Sequence, residues 1–385
     1  MFLKKVIERD PRFVETALRF MDEGKILPDT YMIDVDTFVK NAKEMLKEAT
    51  AQGIDLYFML KQVGRNPYLA NKLIEMGYKG AVAVDFREAQ ILMENRIPIC
   101  NVGHLVQVPK GALSQIIEYG PDYITVFSLE KVREINEEAK KQKKVQPLLL
   151  KVIGPEDLVY SGQTAGFHFA ELRKVVQEIK KLDHVKIGGV TSFPCFLIDE
   201  KEGSPEPMNN LETLLNAKKI LQEEGITDIN VNAPSATCIS TLKEMESFPD
   251  ITSAEPGHGL SGTTPLHMLR DEPEVPCVIY MSEISHNYNG HAYCYGGGHY
   301  RRSHMKDALV GTSIEDGILC KVSPPDLPCI DYYFELDQEF PVSTPVCMAF
   351  RFQIFVTRSH VVLVEGIQSD EPVIVGEFDS QGRSI

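Results

Sequence analysis

Lys61 closes the apolar run Asp55–Leu60 and is followed at once by the corner Gly64-Arg65-Asn66-Pro67, after which a helical pattern begins. The alternation in "DLYFML" reads as a buried strand, and the Gly and Asn-Pro signals read as the loop that leaves it. A lysine placed there ends among the loops at a strand terminus. Burial lowers a lysine's pKa, and a neutral amine condenses with an aldehyde, the Schiff-base use of lysine. A strand-end lysine reaching into solvent is the bland reading of the same position. Two later loops change the weighing. "NAPSAT" offers the Ser235 and Thr237 hydroxyls with adjacent amides, and "EPGHGLSG" offers Gly257 and Gly259, where the missing Cβ lets backbone approach a ligand. Taken alone, the hydroxyl pair is an N-cap. Glu255 stands between those loops and the strand before it. Its carboxylate is either half of an ion pair or a partner that keeps a pyridine nitrogen protonated. Amine, phosphate cradle and carboxylate are the three groups that pyridoxal phosphate requires.

The elements that must position these residues repeat regularly. From the Lys61 strand to "ITSAEP", eight short apolar runs alternate with helical stretches, each run apolar on both faces. That is the pattern of an α/β fold of the (β/α)8 barrel type, whose sites form at the C-terminal strand ends and whose phosphates sit after the seventh and eighth strands. An open doubly wound sheet is the alternative, and the first strand lacks the Gly-rich turn it would need. From about Val275 the texture becomes β-rich with Gly, Pro and Asn corners, a mostly β domain. The expected division is 1–52 for a helix and a strand-helix segment, 53–268 for the barrel and 269–385 for the β domain. The strand at 30–36 is expected to join the β domain. The opening 25 residues read as one amphipathic helix and not as a signal peptide.

Across 385 residues the net charge is -15, which argues against a nucleic-acid partner. The eight cysteines include no C-x-x-C pair, so neither a disulfide scaffold nor a zinc ribbon is expected. No run approaches the length of a membrane span. A cytoplasmic protein is the expectation.

Read together, "IDVD", "KQxGRNP", "GHLVQ", "NAPSAT", "AEPGHxLxGT", "SEISH", "YCYGGG" and "QIFVTRS" resemble the fold type III pyridoxal phosphate enzymes. This is the alanine racemase barrel family, and the set is most similar to its YhfX-type branch. The resemblance implies Lys61 as cofactor lysine, Ser235, Thr237, Gly257 and His258 at the phosphate, and Glu255 at the pyridine nitrogen. It also implies a homodimer in which Tyr295, at the position of a "GYG" tyrosine, reaches the neighbouring subunit as second base. Racemisation needs two bases flanking the α-carbon. Departures from alanine racemases are marked: Arg65 replaces a tyrosine and is assigned to cofactor binding, Gln163 and Thr164 replace an arginine, Ser192 replaces a histidine, and Glu255 replaces an arginine. His104, Gln163 and Ser192 are candidate substrate contacts. His286, His291, His299 and His304 match no standard metal spacing, and no metal is assigned. The implied activity is amino acid racemisation or epimerisation. A D-amino acid lyase (aldolase or dehydratase) and a non-catalytic cofactor-holding protein are the rivals.

Overall fold

A computed structural model describes residues 2–385 of the chain. It divides into two compact units. One runs to Glu44 and takes in Lys61–Leu69 and His258–Ile385; the other comprises Met45–Leu60 and Ala70–Gly257.

The opening stretch is two helices rather than one, α1 (Phe2–Arg9) and α2 (Pro11–Asp22). Pro11 lacks the N–H that a continuous helix needs, and Asp10 caps the second helix by accepting from the Phe13 N–H at 3.1 Å. After these, β1 (Thr30–Asp34) leads without a loop into α3 (Val35–Ala51). Asp34 is buried at that junction and accepts from the Thr37 N–H at 3.1 Å and the Thr37 hydroxyl at 2.6 Å. Burial raises its carboxyl from 3.8 to about 6. The folded chain therefore holds this proton more tightly than the unfolded one. The resulting stabilisation is complete at acid pH and is lost as pH rises through about 6. Asp34→Asn keeps an acceptor for the cap without the charge. We expect it to be more stable than wild type at neutral pH, by up to about 3 kcal/mol, with the gap closing on acidification. Denaturant unfolding across a pH series checks this; a gap independent of pH would remove the charge from the account.

The second unit is a closed ring of eight parallel strands. These are β2 (Asp55–Phe58), β3 (Gly80–Ala83), β4 (Ile99–Val102), β5 (Tyr123–Val126), β6 (Gln146–Ile153), β7 (Val185–Thr191), β8 (Asn230–Asn232) and β9 (Ser253–Ala254). They pair in chain order and β9 returns to β2. Those are the eight runs counted in the sequence. Apolar residues on both strand faces follow from helices packing outside and side chains filling the inside. The filling is not wholly apolar. Thr191 donates to Asn232 at 2.8 Å, Asn232 to Ser253 at 3.1 Å, Ser253 to Asn230 at 2.7 Å and Asn230 to the Tyr57 hydroxyl at 2.6 Å. This buried chain of polar groups ties β7, β8, β9 and β2 together.

The strands that follow the barrel are β10 (Val278–Tyr288), β11 (His291–Tyr295), β12 (Asp307–Val310), β13 (Ile318–Ser323), β14 (Tyr333–Leu336), β15 (Pro345–Met348), β16 (His360–Glu365) and β17 (Val373–Phe378). In the order β10-β11-β14-β13-β12-β15 they pair antiparallel, and β15 returns to β10. At its free edge β10 pairs with β1, which pairs in parallel with β16. One face of this sheet is covered by α1 and α2, whose Leu3, Val6, Phe13, Val14 and Leu18 pack with Met32, Ile279, Met281 and Val362. Among the described residues no helix is long and apolar enough to cross a membrane.

Candidate active site

The strand leading to Lys61 ends at Phe58, earlier than its apolar run. Met59 still donates to the Pro256 carbonyl at 2.8 Å, in the same register as Asp55 to Thr252 at 2.9 Å. The chain that leads to Lys61 and the chain just past Glu255 thus leave the barrel side by side, from the adjacent strands β2 and β9.

Lys61 opens a single 3-10 turn, Lys61–Val63, and the next two residues are left-handed, Gly64 at φ +71° and Arg65 at φ 56°. A non-glycine residue in that region persists only where its surroundings over-determine it. Here the surroundings are residues far along the chain. Arg65 is buried, donates from Nη1 to Gln381 Oε1 at 2.8 Å and lies with its guanidinium 5.0 Å from the Phe355 ring centroid. Gln381 in turn donates to the Phe355 carbonyl at 2.6 Å. A Cβ on Gly382 would overlap the Arg65 carbonyl oxygen, so only glycine lets the chain close over the turn. The Arg65 guanidinium, expected at the cofactor, is thus engaged with the Phe355 and Gln381 segment.

Lys61 and Arg351 are both near enough to His258 for their charges to act on it. Burial, and behind it those two cations and His267, hold the imidazole well below its ordinary pKa. His258 Nδ1 lies 2.9 Å from the Thr263 hydroxyl, and Nε2 lies 3.2 Å from Gln353 Nε2. Both ring nitrogens are thus held by side-chain partners. Phe352 packs edge-on at 5.6 Å.

The other expected residues belong to the barrel unit. Glu255 follows β9 directly, is only 4% exposed and adds to the negative field that, after burial and Asp157, pushes the Cys195 thiol up. The loop after β8 carries two consecutive non-glycine residues at positive φ, Ser235 at 101° and Ala236 at 53°. Thr237 follows, its Oγ1 buried with no hydrogen-bond partner among the described residues. Cys195 donates its N–H to the Pro234 carbonyl at 3.0 Å, fixing that loop's entry. Ser192 is buried and accepts from Asn210 at 3.3 Å. His104 is buried with its ring 5.6 Å from Phe193, which also meets Tyr160 at 5.9 Å. Gln163 lies partly buried in the loop after β6, its Oε1 without a hydrogen-bond partner among the described residues.

Tyr295 ends β11 with its side chain 37% exposed and its ring 5.9 Å from Tyr333. Its hydroxyl makes no hydrogen bond among the described residues, while its backbone carbonyl accepts from Ser282 at 2.7 Å. The glycines that follow serve close packing: a Cβ on Gly297, at φ +138°, would overlap the Asp29 carboxylate. The neighbouring histidines are dispersed. His286 stacks on Tyr293 at 5.0 Å, and His291 Nδ1 lies 3.0 Å from the Leu336 carbonyl. His299 is half-buried and held low by burial. Among the described residues no three His, Cys, Asp or Glu side chains converge as a metal site.

Two residues escaped the sequence reading. Arg351 had no local signal, being 93 positions from the His258 it acts on, a distance only the fold removes. Lys151 did have one, an isolated lysine in the otherwise buried run "QPLLLKVI".

The barrel residues fit a phosphorylated pyridine. A buried hydroxyl without a partner beside a strained turn suits a phosphate, and a buried carboxylate at the neighbouring strand end suits a protonated ring nitrogen. An eight-stranded parallel barrel followed by an antiparallel β domain is the alanine racemase-like architecture, a pyridoxal phosphate fold. The chain belongs to the family defined by the alanine racemase N-terminal domain, which residues 33–265 match, while residues 279–374 match the YhfX-like C-terminal domain. It is 44% identical over 386 residues to the uncharacterized protein YhfX of Escherichia coli strain K12, covering 100% of both chains. Its fold is similar to D-threonine aldolase from Filomicrobium marinum, with 12% identity, 92% of this chain and 94% of that one covered, and a TM-score of 0.69. It is also similar to alanine racemase of Clostridium difficile 630 in complex with cycloserine, with 17% identity, 91% and 98% covered, and a TM-score of 0.64.

Proposed function

We propose that this chain is a pyridoxal 5′-phosphate enzyme acting at the α-carbon of an amino acid, as a racemase or epimerase, in a cytoplasmic homodimer with shared sites. The observation that carries the reading is Glu255, a carboxylate only 4% exposed at a barrel strand end next to the strand that leads to Lys61. Lys61 would hold the cofactor covalently. Ser235, Thr237, Gly257 and His258 would hold its phosphate, and Glu255 its ring nitrogen. Arg65 would contribute to cofactor binding and fix the turn that carries Lys61. The bound cofactor supplies an electron sink for the α-carbanion.

The chain's own residues do the rest. Lys61 is the base on one face of the α-carbon, and the neutral His258 beside it does not compete for the proton. His104, Gln163 and Ser192 would line the substrate side. Tyr295 of the partner subunit is the base on the other face. Two features of the β unit support that assignment: the hydroxyl makes no hydrogen bond among the described residues, and Tyr295 packs on the exposed Tyr333, at the end of a segment that also exposes Leu327, Ile330 and Tyr332. An apolar patch of that kind suits a subunit interface.

A lyase reaction is the second reading, favoured by Gln163 and Thr164 standing where racemases carry an arginine. The two differ in what becomes of the substrate. D- and L-amino acids incubated in heavy water should gain α-deuterium and emerge as both enantiomers; carbonyl products would make the chain a lyase, and bound cofactor without any turnover a carrier. Mixing the inactive Lys61→Ala and Tyr295→Phe proteins should restore activity, because a mixed dimer has one site with both bases. If subunits exchange and no activity returns, Tyr295 does not serve a neighbouring chain.

A further inference from the structure

Lys151 is a charged group buried in the barrel unit with no ion-pair partner among the described residues. It lies on β6, paired in register with Thr191, so its side chain shares the face from which Thr191 reaches Asn232 on the adjoining strand β8. It sits near the C-terminal end of its strand and is 3% exposed. Its ammonium lies 4.9 Å from the centroid of Phe127, the residue just past β5, and 3.4 Å from the Gln163 carbonyl. No carboxylate stands within ion-pair distance of it among the described residues. Burying an ammonium without an anion is costly, and such groups are otherwise paired. Burial alone brings its pKa down to about 8, so it still carries its charge at neutral pH.

We propose that Lys151 is the carboxylate-binding residue of the substrate site, holding the α-carboxylate of the amino acid at the barrel mouth beside Gln163. The inference rests on the α-carbon chemistry proposed above. Position favours the substrate over the cofactor phosphate: the phosphate-ready turn follows β8, and β7 lies between β8 and β6 in the ring. A single ammonium flanked by an aromatic face also suits a monoanion of carboxylate size. Binding there would supply the missing counter-charge and align the substrate at one end, leaving its α-carbon between the two bases.

The test compares amino acids with their carboxamides, alanine against alaninamide and serine against serinamide, through the absorbance change of the bound cofactor. Wild type should bind the acids at least about tenfold more tightly than the amides, the scale of a charge-assisted hydrogen bond. Lys151→Met should abolish that preference while cofactor content and its borohydride-fixed position stay as in wild type, and Lys151→Arg should retain it. No preference in wild type, or a preference that survives in Lys151→Met, overturns the proposal. Acetate supplies an arm free of the cofactor. It should raise the thermal midpoint of wild type relative to chloride at equal ionic strength, and leave Lys151→Met and Lys151→Gln unmoved. A protein that takes up no pyridoxal phosphate yet shows this Lys151-dependent acetate effect defeats the proposed function and leaves the anion site standing. An acetate effect equal in all the proteins defeats the anion site.

Discussion

Replacing Lys61 with alanine is expected to give a folded protein that retains no borohydride-fixable pyridoxal phosphate and loses α-proton exchange by more than about a thousandfold, the combined effect of losing the attachment point and one base. Folding should survive, because the substitution removes one of two cations that act on His258 and leaves the hydrogen bonds of Arg65 in place. The same change lifts a depressing charge from the imidazole, so the His258 pKa should rise in the variant, which proton NMR can follow. In wild type, reduction and peptide mapping should place the label on the Lys61 peptide. A label on another lysine, or wild-type exchange in Lys61→Ala, would take the proposed chemistry away from this residue.

Glu255→Gln is expected to keep the cofactor and slow α-proton exchange by about a hundred- to a thousandfold, some 3–4 kcal/mol in the barrier, as for other electrostatic groups aimed at charge that develops in the reaction. The amide fills the same buried position but cannot sustain a charged ring nitrogen. Its companion effect is structural in origin and independent of catalysis: the Cys195 thiol, pushed up partly by the Glu255 charge, should become more acidic. Thiol titration would therefore report that Gln occupies the site. Exchange at the wild-type rate with the thiol shifted would exclude Glu255 from the mechanism.

The barrel was legible because a strand covered on both faces must be apolar on both faces, and eight such runs in alternation with helices admit few arrangements. The break between α1 and α2 was written in Asp10-Pro11, a cap followed by a residue without an N–H, yet the amphipathic pattern continues across it and hides it. The end of β2 was not legible. Met59 and Leu60 are as strand-like as the residues before them, and Met59 keeps the bond spacing to the β9 chain through the Pro256 carbonyl, so nothing local marks the end at Phe58. The polar chain from Thr191 to Tyr57 was equally out of reach, since each member looks like an ordinary strand residue until four strands are set side by side. Arg351 acts on His258 through the fold alone. Lys151, by contrast, was visible as a charge in an apolar strand and needed only the question of what balances it.

The clamp on the Lys61 turn sets an order of events in the cell. Arg65 and Gln381 are 316 positions apart. At ribosomal rates of about 5–20 residues per second, Lys61 exists for roughly 15–60 s, and the full set of barrel strands for roughly 6–25 s, before Gln381 is made. During that interval the left-handed turn lacks what holds it, and the lysine has no fixed address. On the proposed function, capture of the cofactor in its final geometry would therefore be a late event of biogenesis, following synthesis of the distal segment rather than accompanying synthesis of the barrel.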